Sequence, residues 1–159
     1  YHKKTKDLIW SYPVSTTQYI YGWMDANVGE MTNKGIEFEA RYQILNNLNV
    51  DMNYSYLHMS KPIPGAPGHK FYAGATYMPG RFTLNVNMQS VFDLYTDAEC
   101  SKKEDFTTLN AKVAYRFGTR DKGLNLFVKG ENLTATRYTI NDGFPMPKAI
   151  FMGGIDVTF

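Results

Sequence analysis

The feature that most constrains this chain is a two-residue alternation of apolar and polar side chains, sustained far longer than an ordinary strand needs. Ile36, Phe38, Ala40, Tyr42 and Ile44 alternate with Glu37, Glu39, Arg41 and Gln43. Leu48, Val50, Met52, Tyr54 and Tyr56 alternate with Asn49, Asp51, Asn53 and Ser55. Phe82, Leu84, Val86 and Met88 alternate with Thr83, Asn85, Asn87 and Gln89, and Leu109, Ala111, Val113, Tyr115 and Phe117 with Thr108, Asn110, Lys112, Ala114 and Arg116. Successive side chains on a strand point to opposite faces, so each run reads as a strand with one apolar and one polar face. Eight such runs are read along the chain, with almost no helical periodicity. The expected fold is all-β.

Strand length narrows this further. Runs of about 12 or 13 residues at ~3.3 Å each span roughly 40 Å, which a tilt near 45° reduces to the height of an outer-membrane apolar band. Soluble strands average about 5 or 6 residues. Short connections at Asn46-Asn47, Pro79-Gly80 and Gly118 to Gly123 alternate with long ones at 11–30, 60–68, 94–104 and 134–147. The Asn and Gly of the short turns suit the positive φ that tight hairpins use. If the carboxy terminus is periplasmic, all three short turns fall on the periplasmic side and the long loops outside, as in an up-and-down transmembrane barrel. Aromatics follow the same logic. Tyr42, Tyr77, Phe82, Tyr115, Phe117 and Phe159 lie beside the short turns, and Tyr54, Tyr56, Phe71, Phe106 and Phe151 toward the other end, with aliphatic residues between. Two aromatic girdles around an aliphatic band are expected.

Composition excludes more than it selects. No apolar run approaches the ~18 residues of a membrane-spanning helix. The 12 Tyr and 10 Phe exceed the needs of an ordinary core, and a net charge of +2 does not point to nucleic acid. Cys100 is alone and forms no internal disulfide. The chain opens at Tyr1 without a leader, so it is expected to be a fragment.

The last nine residues, Phe151 to Phe159, put apolar or small side chains at 151, 153, 155, 157 and 159 and finish on an aromatic, as outer-membrane barrels of Gram-negative bacteria do. Asn33-Lys-Gly35-Ile-Glu37-Phe-Glu39 resembles the strand-opening N-x-G-x-E-x-E pattern of the TonB-dependent outer-membrane receptors, preceded by Lys6-Asp7-Leu8-Ile9. Asn53-Tyr54-Ser55-Tyr56 resembles their following strand. Asn132-Leu133, with Tyr138 five residues after Leu133, resembles the N-L-x-x-x-x-Y element that ends the penultimate strand, and Gly143-Phe-Pro145-Met-Pro147 the last loop. Order and spacing together cover nearly the whole chain. Two departures stand out. Lys148 directly follows Pro147 where the family often has Gly-Arg, and Met152 stands where the assembly signal, matched at Gly154, Val157 and Phe159, usually has a polar residue.

The resemblance implies that residues 1–159 are about the last third of a 22-strand barrel, plugged by an amino-terminal domain absent from this sequence. It also implies energised uptake of a scarce nutrient such as a ferric siderophore, haem or cobalamin. The implied partners are the TonB energy-coupling complex, reached through the absent amino-terminal region, the barrel-assembly machinery, the metal chelate or cofactor ligand, and outer-membrane lipid, with no nucleic acid. The chain itself is expected to carry no cofactor, metal site or enzymatic activity. No nucleophile with a nearby base, phosphate-cradling Gly loop or defensible acid pair is legible.

Glu37, Glu39, Arg41, Lys112 and Arg116 are candidate lumen charges, either contacting plug or ligand or pairing with one another. Tyr19, Tyr21 and Trp23, with Asp25, form an aromatic cluster in the first long loop that is a candidate ligand clasp or an interface with lipopolysaccharide. His58 and His69 flank one loop, but their parity matches Tyr56 and Phe71 and directs them away from the lumen, against a metal site; His2 is the third histidine. Two other classes of function stay open at this point: a passive outer-membrane channel, and a soluble β-sandwich binding module. The isolated chain would either close into a small eight-strand barrel or keep two open edges.

Overall fold

A computed structural model of the chain describes residues 1–7, 9–16, 19–27, 29–119 and 122–158, with the backbone alone at 10, 12–16, 19–21 and 23. The described residues form strands β1 (His2–Thr5), β2 (Ile9–Thr16), β3 (Tyr19–Asn27), β4 (Met31–Leu45), β5 (Leu48–Met59), β6 (His69–Tyr77), β7 (Phe82–Tyr95) and β8 (Lys103–Gly118). They continue with β9 (Gly123–Glu131), β10 (Thr139–Asn141), β11 (Phe144–Pro145) and β12 (Ile150–Thr158). No helix is present among them. Eight strands make one antiparallel sheet in the order β1-β4-β5-β6-β7-β8-β9-β12, while β2-β3 and β10-β11 are separate two-stranded pairs.

The β2–β3 hairpin prolongs the first pair of the main sheet. Thr5 opposes Met31 in β1–β4 and Ile9 opposes Asn27 in β2–β3, so the same register runs through the break at Lys6–Glu30. The expectation of a loop over 11–30 is corrected: most of it is paired strand, because its alternation continues that of the wall. Pairing register elsewhere is unbroken over long stretches, from Asn33↔Met59 to Gln43↔Asn49 and from Phe82↔Tyr115 to Val91↔Phe106. A one-residue slip would turn every apolar side chain to the polar face, so the alternation itself holds the register.

The three short turns lie at one end of the sheet. Gly80 and Gly118 have φ of +62° and +88°. Asn46 and Asn47 are not among the positive-φ residues, contrary to expectation. Their strands instead carry a bulge where Gln43↔Asn49 gives way to Leu45↔Leu48, and a bulge supplies the extra local twist that a left-handed turn residue otherwise provides.

Cross-strand pairs merge the apolar faces into one surface. Row by row, Ala40, Met52, Ala73, Met88 and Leu109 oppose one another, as do Tyr42, Val50, Ala75, Val86, Ala111, Gly130 and Phe151. This face is bare: Ile36 is 66%, Tyr42 69%, Val128 61% and Ile155 63% exposed. No second sheet covers it among the described residues, which removes the soluble sandwich, whose two layers would bury these side chains against each other. The sheet does not close. β1 and β12 are its two edges, so of the two outcomes for the isolated chain the open one is found.

Candidate functional site

The polar face is built from the alternate residues of the same strands. Across its middle, amide and hydroxyl groups join strand to strand: Asn85 Nδ2 donates to Thr76 Oγ1 at 2.8 Å, Asn87 Nδ2 to Asn85 Oδ1 at 3.1 Å, and Asn110 Nδ2 to Asn87 Oδ1 at 2.9 Å. The backbone N–H of Asn132 donates to Asn110 Oδ1 at 2.9 Å and completes the line. An uncharged network of this kind pairs donors with acceptors along the face and still offers its outer lone pairs to whatever meets that face.

All five candidate lumen charges lie on this face. Glu39 and Arg41 pair at 2.9 Å while both stay exposed, and in register they oppose Asn53 and Asp51; Glu37 opposes Ser55. Lys112 sits over the Phe127 ring at 4.2 Å, a cation–π contact, beside the Lys129–Glu131 pair at 2.5 Å. Arg116 lies near the turn end, opposite Asn125. These groups are spread over the wall in small local pairs and do not converge on a point.

Aromatic rings on the polar face lie across glycines. A Cβ on Gly154 would stand 2.5 Å from Cζ of Phe127, one on Gly74 2.7 Å from the Tyr72 hydroxyl, and one on Gly35 2.5 Å from the Tyr1 ring. Gly154, expected in an assembly signal, is therefore the floor under Phe127, its register partner. Val157 opposes Leu124 on the apolar face, and Phe159 lies outside the described residues. Met152, the departure from the signal, opposes Lys129 on the polar face.

At the end away from the short turns, the segment between β9 and β12 folds back over the polar face. Asn132 is its pivot, 5% exposed and in the left-handed region at φ +49°. Its Nδ2 donates to the carbonyls of Thr136 at 2.9 Å and Pro147 at 3.1 Å, and its Oδ1 accepts from the Thr136 N–H at 3.0 Å and the Thr134 hydroxyl at 3.2 Å. The Thr136 hydroxyl and the Leu133 N–H bond the Thr107 and Leu109 carbonyls of β8 at 2.8 and 2.7 Å, beyond the reach of β9. Tyr138 then stacks on Phe106 with centroids 4.0 Å apart. Further along, Asp142 donates its N–H to the Thr96 carbonyl at 2.9 Å and pairs with Lys102 at 2.5 Å. The buried residues Val91, Leu94, Thr96, Thr108 and Asn132 collect here. A cleft of about 220 Å³ lined by Gln89, Thr108, Asn110, Glu131, Tyr138 and Met146 opens beside the folded segment.

Phe106 corrects an expectation. It opposes Val91 and shares the parity of Thr108, so it belongs to the polar face under Tyr138 and not to the outward girdle. The remaining aromatics at that end keep their expected face, with Tyr54 opposing Phe71 and Tyr56 opposing His69.

The neighbouring turn, 96–102, is organised by Asp97, whose carboxylate accepts from the Ser101 hydroxyl at 2.6 Å, the Ser101 N–H at 2.9 Å and the Lys102 N–H at 2.8 Å. The Ser101 hydroxyl first, and then the backbone N–H groups, hold the Asp97 carboxyl down at about 2. Burial pushes the Cys100 thiol up, and the Asp97 charge adds to this.

Tyr19, Tyr21 and Trp23 lie on β3, where Tyr19 opposes Thr16 and Trp23 opposes Pro13; their side chains lie outside the described residues. Asp25, in the same hairpin, accepts a hydrogen bond from the Ser11 hydroxyl. His69 shares a hydrogen bond of 2.7 Å with the Tyr54 hydroxyl and stands 4.0 Å from Asp93, which Lys103 also pairs at 2.6 Å. His58 opposes Lys34. The sequence singled out Asn132 and Tyr138 as the end of a strand; their role as a pivot and clasp holding a segment over the wall appears only in three dimensions.

The sequence profile described as TonB dependent receptor-like, beta-barrel matches residues 1–133. Among solved structures, the chain is similar to a copper transporter, OprC, with 21% identity and a TM-score of 0.80 over 99% of this chain and 28% of that one. It is also similar to the siderophore receptor PiuA from Acinetobacter baumannii, with 16% identity and a TM-score of 0.65 over 96% of this chain and 23% of that one. The ferric citrate transporter FecA in its unliganded form matches with 21% identity and a TM-score of 0.64 over 92% of this chain and 27% of that one. The chain thus spans about a quarter of the length of each of these proteins.

Proposed function

Because the chain belongs to the TonB-dependent receptor-like β-barrel family, whose members are barrels of the Gram-negative outer membrane, we propose that it is the carboxy-terminal part of the wall of a receptor that takes up a scarce nutrient with energy from the inner membrane. The observation that carries this reading is a single eight-stranded wall with an apolar face bare on one side and an amide-lined face on the other. Hydrocarbon demands that every backbone group be paired, and an antiparallel wall meets that demand while one face meets lipid and the other a wet interior. The folded-back segment supports a receptor rather than an open pore, because it brings Tyr138 and the Asn132 knot over the interior face at the mouth.

In this reading the short turns are periplasmic and the β2–β3 hairpin projects outside. Tyr19, Tyr21 and Trp23 then contact ligand on entry, while Glu37, Glu39, Arg41, Lys112 and Arg116 face the lumen and its plug. The nutrient is a chelate or cofactor: a ferric siderophore, haem or cobalamin, with a copper complex added by the likeness to OprC. The partners are the TonB complex and, during insertion, the barrel-assembly machinery that reads Gly154, Val157 and Phe159.

Growth of a deletion strain on single sources of iron, cobalamin or limiting copper tests the proposal. Loss of growth on one source, restored by the intact gene and abolished by an uncoupler of the inner membrane, is the expected result. Uptake that persists at full rate with the uncoupler present would make the protein a passive channel.

A further inference from the structure

The folded-back segment leaves a cleft whose polar groups are not all engaged. This cleft, of about 220 Å³, has Gln89, Thr108 and Asn110 on the wall and Tyr138 and Met146 on the segment. Thr108 is 5% exposed, and among the described residues no hydrogen bond engages its hydroxyl. That hydroxyl is not sealed in either, because the one side-chain polar atom among the described residues that is both sealed and unpartnered belongs to Asn33. A nearly buried hydroxyl without a partner costs free energy, and a molecule that bonds it from the cleft relieves that cost. Gln89, which opposes Thr108 in register, also keeps its side-chain amide free among the described residues.

The charges around the cleft favour an uncharged occupant. No lysine or arginine lines it, and its one acid, Glu131, pairs with Lys129 at 2.5 Å. Lys112, two residues beyond Asn110 on β8, is held over the Phe127 ring. Along the wall, the row Asn53, Tyr72, Gln89 and Thr108 crosses four strands without a charge, and Asn87 and Asn110 oppose each other two residues further toward the short turns. An anion here would lose its water, meet the Glu131 carboxylate and find no free cation. An amide, by contrast, brings a donor and an acceptor to groups that are themselves donors and acceptors. Pockets for a whole drug-sized ligand run from about 300 to 1,000 Å³, so this one takes an arm of a larger molecule.

We propose that this cleft is a subsite for an amide or hydroxamate arm of an uncharged metal complex, and that the nutrient belongs to that class and not to the carboxylate-bearing chelates or haem. The Thr108 hydroxyl donates to the carbonyl of the arm, and the Gln89 side-chain oxygen accepts from its N–H or hydroxyl. Tyr138, stacked on Phe106, and Met146 give the methylenes of the arm an apolar surface. The likeness to FecA is one of fold and does not bring ferric citrate to this cleft. The inference rests on the proposed function, in which the chain is receptor wall and its polar face lines the interior.

Isothermal titration of the intact receptor in detergent provides the test, with four probes. Ferrichrome and cyanocobalamin are uncharged overall and carry hydroxamate or amide groups, whereas ferric citrate and haemin carry carboxylates. One of the first two is expected to bind. Thr108→Val keeps the shape of the side chain, removes its hydroxyl and is expected to weaken that binding about tenfold, while Thr108→Ser keeps it. Thr83→Val, on the polar face near the short turns, leaves it unchanged. Heat-modifiable migration on gels reports that each variant is folded. Should Thr108→Val fail to fold, the exposed variant Gln89→Leu gives the same reading with about a fivefold loss. Binding of the carboxylate probes alone, binding of no probe, or equal binding by wild type and the Thr108→Val and Gln89→Leu variants overturns the proposal. Titration needs no energy from the inner membrane. Uptake sensitive to the uncoupler can therefore stand while the cleft stays idle, and the cleft can hold the arm in a protein that passes its nutrient passively.

Discussion

Gly154 has no room for a side chain, because a methyl group there meets the Phe127 ring at 2.5 Å, whereas at Gly153 the nearest such atom is the Phe127 carbonyl oxygen at an ordinary 3.6 Å. Gly154→Ala is therefore expected to cost about 1–3 kcal/mol through a displaced Phe127, and Gly153→Ala to be close to neutral. Urea unfolding of the intact receptor in detergent checks both, and equal costs would remove the ring-over-glycine account. The sequence marked Gly154 as special only through a resemblance. The reason for a glycine lies on another strand, since residues 127 and 154 meet through pairing and not through proximity in the chain. The same holds for Phe106, whose aromatic character predicted a girdle position and whose parity in β8 assigned it to Tyr138.

At the scale of the element, the segment between β9 and β12 depends on Asn132, which gathers Thr134, Thr136 and Pro147 around one amide. Asn132→Ala removes these bonds and leaves a Cβ-bearing residue without local hydrogen bonding at positive φ, so it is expected to cost about 2–4 kcal/mol. Limited proteolysis should then cut within 134–148 before the wall unfolds. The adjacent turn has its own switch. The Asp97 carboxyl lies below its ordinary value, so its contribution is complete above about pH 4 and is lost as pH falls through about 2. Pepsin should accordingly cut the 96–102 turn of wild type faster at pH 2 than at pH 4, while an Asp97→Ala variant, already without its cap, is cut alike relative to a control peptide at both. Loop lengths showed in the sequence that these connections are long. Their folding inward did not show, because the contacts run to backbone carbonyls such as those of Thr107 and Leu109, which any residue type supplies.

For the molecule as a whole, the question is which solvent meets each face. Val86, at mid-height on the bare face, and Asn87, beside it on the amide face, give the comparison. In lipid, Val86→Arg is expected to destabilise the intact receptor by about 2–4 kcal/mol, as charges do at the membrane midplane, and Asn87→Arg to cost well under that. Unfolding in phospholipid bilayers measures the difference, and near-equal costs would mean that Val86 does not face hydrocarbon. The alternation that assigned these two faces is a local property, read two residues at a time, and each hairpin joins neighbours in sequence. Strand order, the sidedness of the turns and the apolar surface therefore followed from the chain alone. What lies across that surface did not. The rings over glycines and the clasp at Asn132 depend on register between strands and on how a connection folds back, and those are set only when all eight strands are in place and distant residues compete for the same space.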